Sequence, residues 1–204
     1  MTQKIIVALD VPTPHQAQAL VDGIRSEWYK VGLELIYSNG GLDFTRKLID
    51  SGHNIFLDAK LSDIPTTMAR AVKNICRGIS PHMLSVRCST DAAMDSTSGV
   101  TKIIYVPTLT SDNLENDAIV NTLCHGVVCR GVLAKEYRKL NPTLKIIVPG
   151  IRPSRCPPDD HKQPQESFKE ADYLVVGRPI TMSNNPGEAY KNIKHMMTND
   201  LYLE

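Results

Sequence analysis

Eight short apolar runs, rich in β-branched residues, recur along the chain at residues 4–10, 28–32, 54–60, 83–88, 102–108, 126–130, 145–150 and 173–179. Each is continuous rather than alternating, as expected of strands covered on both faces. Helical spacing or capping marks the segments between them. Segment 14–26 repeats apolar residues at Ala17, Leu20, Val21 and Ile24, and Thr13 stands before Pro14 as a suitable N-cap. Segments 42–51 and 64–77 end at Gly52 and Gly78, the usual helix stops, and 186–197 closes the chain. Eight strands with helical crossovers predict an α/β fold, a (β/α)8 TIM barrel, because a doubly wound sheet usually has about five to seven strands. With 204 residues the barrel is compact, and residues 1–204 are expected to form one domain. The helices after strands four and five have only 91–98 and 113–123 to occupy, so both are expected to be short or partly 3₁₀.

Composition narrows the classes of function. Twenty-three basic and 22 acidic residues leave a formal charge of +1, too even for the broad basic face that nucleic acid requires. No apolar run approaches the ~18 residues of a membrane span. Met1-Thr2-Gln3-Lys4 leads directly into the first run without a signal-peptide core. A cytoplasmic protein with neither nucleic acid nor membrane as partner is expected. Five cysteines form no CxxC pair and six histidines form no HxH or HExxH pair. Cys124, His125 and Cys129 could be offered as metal ligands, but reduced thiols in or near the core are the expectation, and no metal or cofactor is expected.

In this architecture chemistry belongs at the C-terminal ends of the strands. Strand one ends in Asp10, strand two carries Lys30, and strand three ends in Asp58-Ala59-Lys60. Asp58 and Lys60 are two apart, so both leave one face of a regular strand. Lys30 on the adjacent strand is within reach, and Asp63 in the following loop completes an alternating acid–base array. Such an array could equally be an ion-pair network that ties strands together, since charges at partly buried strand ends need partners in any case. Strand eight ends in Gly177-Arg178 and strand seven in Pro149-Gly150-Ile151-Arg152. Two glycine–arginine elements on adjacent loops suit a phosphate, which backbone N–H groups can approach and guanidinium groups can grip with two hydrogen bonds. The long polar, proline-rich segment 153–166 after strand seven is a lid candidate.

These residues match a known pattern. Val7-Ala8-Leu9-Asp10, Lys30-Val31-Gly32, the string Asp58-Ala59-Lys60-Leu61-Ser62-Asp63-Ile64-Pro65-Thr66-Thr67, Leu109-Thr110-Ser111, Pro149-Gly150-Ile151-Arg152-Pro153 and Val176-Gly177-Arg178-Pro179-Ile180 together resemble the orotidine 5′-monophosphate decarboxylase family over nearly the whole chain. The resemblance implies conversion of orotidine 5′-monophosphate to uridine 5′-monophosphate (UMP) without a cofactor, by a homodimer with active sites at the subunit interface. It implies that Lys30, Asp58 and Lys60 act within one subunit and that Asp63 reaches into the partner's site. Asp10, Lys30, Thr67 and the shared Asp63 would hold ribose hydroxyls, Thr110 would face the pyrimidine, and Arg152, Gly177 and Arg178 would take the phosphate. His161 stands where the family commonly has a phosphate-loop glutamine, unless Gln163 takes that role in a shifted loop. Arg87 stands where bacterial relatives often carry histidine.

On this reading Lys60 stabilises and protonates the C6 carbanion. Two other readings remain: a metal-dependent sugar-phosphate decarboxylase of the same superfamily, which shares the D-x-K-x-x-D element, and a non-catalytic UMP-binding relative.

Overall fold

Each of the eight apolar runs forms a strand, and all but the third end before their run does, because the last residues of those runs turn into the following loop. The computed structural model describes residues 3–88, 90–97, 99–108, 123–152 and 169–198. Its strands are β1 (Lys4–Ala8), β2 (Trp28–Val31), β3 (Asn54–Leu61), β4 (Met83–Val86), β5 (Lys102–Tyr105), β6 (Gly126–Val128), β7 (Lys145–Val148) and β8 (Tyr173–Val176). They pair in parallel in chain order, and β8 returns to β1 to close the barrel.

The four helices expected from spacing are α1 (Pro14–Ile24), α3 (Gly41–Asp50), α4 (Pro65–Gly78) and α8 (Pro186–Thr198). Thr13 caps α1 as expected, its hydroxyl accepting from the Gln16 N–H at 3.3 Å. Gly52 takes a left-handed turn just past α3, at φ +86°. Gly78 is not the stop it promised to be: it is the last residue of α4, and the left-handed residue is Ser80, at φ +54°. After β4 the expected short helix is α5 (Thr90–Asp95), whereas most of 113–123 lies outside the described residues. Among the described residues, three further helices carry no plain signal in the sequence: α2 (Leu33–Ile36), α6 (Gly131–Leu140) and α7 (Arg178–Thr181). The start of α6 is hidden because its N-cap, Arg130, makes no side-chain capping bond; burial of Ala134 and Tyr137 holds it to the barrel.

Apolar side chains divide into two layers. Between strands and helices lie Val7, Tyr29, Leu57, Leu84, Ile146, Leu174 and their neighbours. Inside the barrel lie Ile6, Trp28, Phe56, Met83, Ile104, Ile147 and Tyr173. Successive strand residues point to opposite faces, so the continuous runs feed both layers at once. Among the described residues no helix is long and apolar enough to cross a membrane.

The barrel closes tightly where β6 meets β7. A Cβ at Gly126 would lie 2.6 Å from the Lys145 carbonyl oxygen and 2.9 Å from Ile104 Cδ1. Backbone cannot yield there without breaking the ladder. Gly126→Ala is therefore expected to cost roughly 1–3 kcal/mol of stability, measured by urea unfolding against wild type.

Candidate functional site

The period of two that fills the barrel also delivers polar groups to its C-terminal mouth. Inward positions run Ile6, Ala8, Asp10 on the first strand and its extension, Trp28, Lys30 on β2, Phe56, Asp58 on β3 and Met83, Ser85 on β4. On β5 and its extension the same series runs Ile104, Val106, Thr108, and β8 with its extension gives Tyr173, Val175, Gly177. Apolar residues thus form the floor, and the next inward position on several strands is polar. Above the floor opens a cavity of about 310 Å3, lined by Ala8, Phe56, Val106, Val128 and Val175 below. Asp10, Lys30, Asp58, Lys60, Arg152 and Arg178 supply its charge, with Thr108, Pro149, Gly150 and Gly177 completing the rim.

Four of these charges form one chain of contacts. Lys30 Nζ donates to Asp10 Oδ1 at 2.8 Å and lies 3.5 Å from Asp58 Oδ2. Lys60 Nζ donates to the same Asp58 oxygen at 2.7 Å. Asp58 is only 7% exposed. Burial alone would raise its pKa, but the ammonium groups of Lys30 and Lys60, with hydrogen bonds from Lys60 and Ser85, outweigh that and hold the carboxyl below its ordinary value. Lys30 is the mirror case. Burial penalises its ammonium, yet the Asp58 and Asp10 carboxylates dominate and raise its pKa.

Lys60 does not reach this array by simple alternation. Its backbone is left-handed, at φ +48°, and the β3–β4 register shifts between Leu57 and Leu61. The expectation of a regular strand through Lys60 is corrected accordingly: Asp58 and Lys60 share a site because of a bulge. Left-handed φ at a residue other than glycine costs about 1–2 kcal/mol and concentrates at functional sites. Gly150, at φ +77°, makes the corresponding turn at the end of β7.

Asp63 and Thr67 are exposed and are not among the residues lining this cavity. The loop carrying Asp63 is fastened to the end of β4. The Asp63 N–H donates to Cys88 Sγ at 3.1 Å, and the thiol donates back to the Asp63 carbonyl at 3.2 Å. Asp63 Oδ1 itself accepts from the Ile64 N–H at 2.7 Å. Thr67 sits in the first turn of α4. Arg152 and Arg178 meet the same cavity from the ends of β7 and β8, with Gly177 between Arg178 and the strand. Thr110, His161, Gln163 and the whole lid candidate 153–166 lie outside the described residues. Thr108 and Ser85 were missed from sequence, although carrying the inward period of two one step further would have found both.

A family model described as Orotidine 5'-phosphate decarboxylase / HUMPS family matches residues 3–193. A curated relative named orotidine 5'-phosphate decarboxylase from Ehrlichia chaffeensis is 35% identical, covering 94% of this chain and 96% of its own length. One of the same name from Streptococcus pyogenes serotype M18 is 31% identical, with 94% and 96% covered. The crystal structure of orotidine 5'-phosphate decarboxylase from Lactobacillus acidophilus superposes with a TM-score of 0.77 at 26% identity, covering 96% of this chain and 99% of that one. An orotidine 5'-monophosphate decarboxylase from Methanocaldococcus jannaschii, solved with the inhibitor BMP, shares the fold at 20% identity and TM-score 0.76, with 97% and 99% covered.

The buried array makes a signed prediction. Asp58 has a depressed folded-state pKa, so its ionisation stabilises the fold above the ordinary carboxylate range and stops doing so as pH falls through the folded value. Lys30→Met leaves Asp58 with Lys60 as its cation partner among the described residues. At pH 7 this substitution is expected to cost about 2–3 kcal/mol, somewhat under the figure for a fully orphaned buried charge. The deficit should shrink as the pH is lowered below about 4, the ordinary carboxylate pKa, in urea unfolding at a series of pH values.

Proposed function

The chain belongs to the Orotidine 5'-phosphate decarboxylase / HUMPS family, and from that premise we propose that it decarboxylates orotidine 5′-monophosphate to UMP in pyrimidine biosynthesis. The observation that carries this reading is the Asp10–Lys30–Asp58–Lys60 array sharing one cavity with Arg152 and Arg178. The substrate bears a ring carboxylate at one end and a phosphate of about −1.5 to −2 charge at the other. Four cations and two carboxylates line the cavity, concentrating positive charge at one place in a chain whose formal total is only +1.

Loss of CO2 from C6 leaves an electron pair in the plane of the ring, where the neighbouring carbonyls cannot delocalise it. Stabilisation must then be electrostatic, by charge already in place as the carbanion develops. Lys60 is the proposed partner of that charge. Its ammonium stabilises the carbanion and then gives a proton to C6, so the C6–CO2 bond is replaced by C6–H and the amine is reprotonated from solvent. No cofactor is required for this step. Asp58 fixes the ammonium through the 2.7 Å contact. It would also repel the substrate carboxylate, by about 4 kcal/mol at ~4 Å and an effective dielectric of ~20. Because Lys30 and Lys60 already balance Asp58, orientation of Lys60 is its larger contribution.

Asp10, Lys30 and Thr67 are assigned to the ribose hydroxyls, Thr110 to the pyrimidine, and Arg152, Gly177, Arg178 and His161 to the phosphate. Phosphate binding, remote from C6, supplies energy that holds the reacting end in place. We further assign a homodimer in which Asp63 completes the partner's site. That assignment is supported by the exposure of Asp63 and its absence from the lining of its own chain's cavity.

A spectrophotometric assay with chelator-treated protein decides the reading. Wild type is expected to convert orotidine 5′-monophosphate, and Lys60→Ala to lose at least about 10³-fold in kcat, some 4 kcal/mol of transition-state stabilisation. No turnover by folded wild type, or an undiminished Lys60→Ala, overturns it. Arg178→Ala is expected to raise KM about 10- to 100-fold, the worth of a charge-assisted phosphate contact. For the shared site, mixing inactive Asp63→Ala with inactive Lys60→Ala subunits should recover activity through heterodimers. Lack of recovery with subunit exchange demonstrated would mean that each site is built within one chain.

A further inference from the structure

Three residues of β3 face a single residue of β4. Leu57 pairs with Leu84 and Leu61 with Val86, so Asp58, Ala59 and Lys60 share Ser85 as the one residue between those pairs. A bulge of this kind leaves backbone groups without ladder partners. Ser85 supplies a partner from its side chain: its hydroxyl accepts from the Lys60 N–H at 2.8 Å and donates to Asp58 Oδ1 at 2.9 Å. The direction of both bonds is forced, because an amide N–H can only donate and the ionised carboxylate can only accept.

Ser85 is fully buried and is not among the residues that line the cavity. It meets the array from β4 without itself lining the cavity. The two oxygens of Asp58 are divided between partners: Oδ1 takes the Ser85 hydroxyl, and Oδ2 takes Lys60 Nζ at 2.7 Å with Lys30 Nζ at 3.5 Å. The carboxylate torsion of an aspartate is intrinsically broad, so a bond to the far oxygen is what sets its plane. The same hydroxyl anchors the left-handed backbone of Lys60. One side chain therefore fixes both the anion that aims the ammonium and the backbone from which that ammonium extends.

We propose that Ser85 is a positioning residue for the decarboxylation assigned above, acting through Asp58 and Lys60 and touching no substrate atom. The inference rests on that functional reading and deepens it. Since Ser85 contributes geometry at the reacting end and none of the binding contacts, its loss belongs in kcat rather than KM.

Two measurements on wild type, Ser85→Ala and Ser85→Thr test this. With orotidine 5′-monophosphate, Ser85→Ala is expected to lose about 10- to 100-fold in kcat, the scale of a small misplacement at a reacting centre, while KM changes less than about threefold. Ser85→Thr, which keeps the hydroxyl, should recover most of the loss. By amide hydrogen exchange, the Lys60 N–H should be protected in wild type and in Ser85→Thr, and exchange at least about tenfold faster in Ser85→Ala. If Ser85→Ala does not fold, Ser85→Cys takes its place with the same expectations, because a thiol keeps the volume but is a weak donor and acceptor. Wild-type kcat in the Ala or Cys variant, a loss confined to KM, or unchanged Lys60 exchange each overturns the proposal. A wild type that does not decarboxylate the substrate overturns the functional reading instead, and the exchange measurement then still decides whether Ser85 holds Lys60.

Discussion

A carboxylate buried to the extent of Asp58 survives only in company. Moving an isolated anion out of water costs several kcal/mol even after the protein relaxes, and here the return comes from Lys60 at 2.7 Å, Lys30 at 3.5 Å and the Ser85 hydroxyl at 2.9 Å. Each partner sits on a different strand or on a different part of a bulge, so the pairing is satisfied only if β2, β3 and β4 are in register at their C-terminal ends. The apolar layers below do not impose that accuracy on charged groups by themselves. The dependence also runs the other way: with Asp58 removed, Lys30 and Lys60 would face each other as like charges in a half-buried space. One buried anion thus ties three strand ends to one geometry, and that geometry is the candidate active site.

The barrel makes the arrangement affordable by separating duties along each inward series. Ile6, Trp28, Phe56, Met83 and Tyr173 close the interior below, and the polar residues begin only at the next inward step. Hydrophobic burial in two layers supplies the stability, while the mouth carries features that spend it: a left-handed Lys60, a register shift in β3 and charges away from bulk water. Costs of this sort persist only where surrounding structure over-determines them.

Much of this was legible in the chain, for identifiable reasons. Parallel strands covered on both faces must be continuous apolar runs, so eight of them could be counted. Charged residues at or just past the C-terminal ends of these runs were expected at the mouth, which marked Asp10, Lys30, Asp58, Arg152 and Arg178. What stayed hidden depends on contacts between segments distant in sequence. A bulge is defined by the strand opposite, so nothing in Asp58-Ala59-Lys60 announces the left-handed turn; regular alternation led to the right pair by the wrong geometry. Helix α6 lacks a capping side chain and owes its place to burial of Ala134 and Tyr137. Ser85 looks like any small strand residue until Asp58 and Lys60 are seen against it.

The tether of Asp63 has the opposite character to the clamp on Asp58. Ser85 holds the array with a buried hydroxyl between two strong partners, whereas the thiol of half-buried Cys88 holds the Asp63 loop through sulfur bonds of 3.1 and 3.2 Å to backbone. Thiols are weak donors and weak acceptors, so the loop is guided rather than locked. That difference suits the proposed division of labour. Under that proposal, charges that must be fixed before substrate arrives are set within one chain, and the carboxylate assigned to another subunit's site is carried on an exposed loop. On this view the D-x-K-x-x-D string is two devices joined by a bulge, its first half oriented by β4 from inside the barrel and its second half turned outward by the same strand's end.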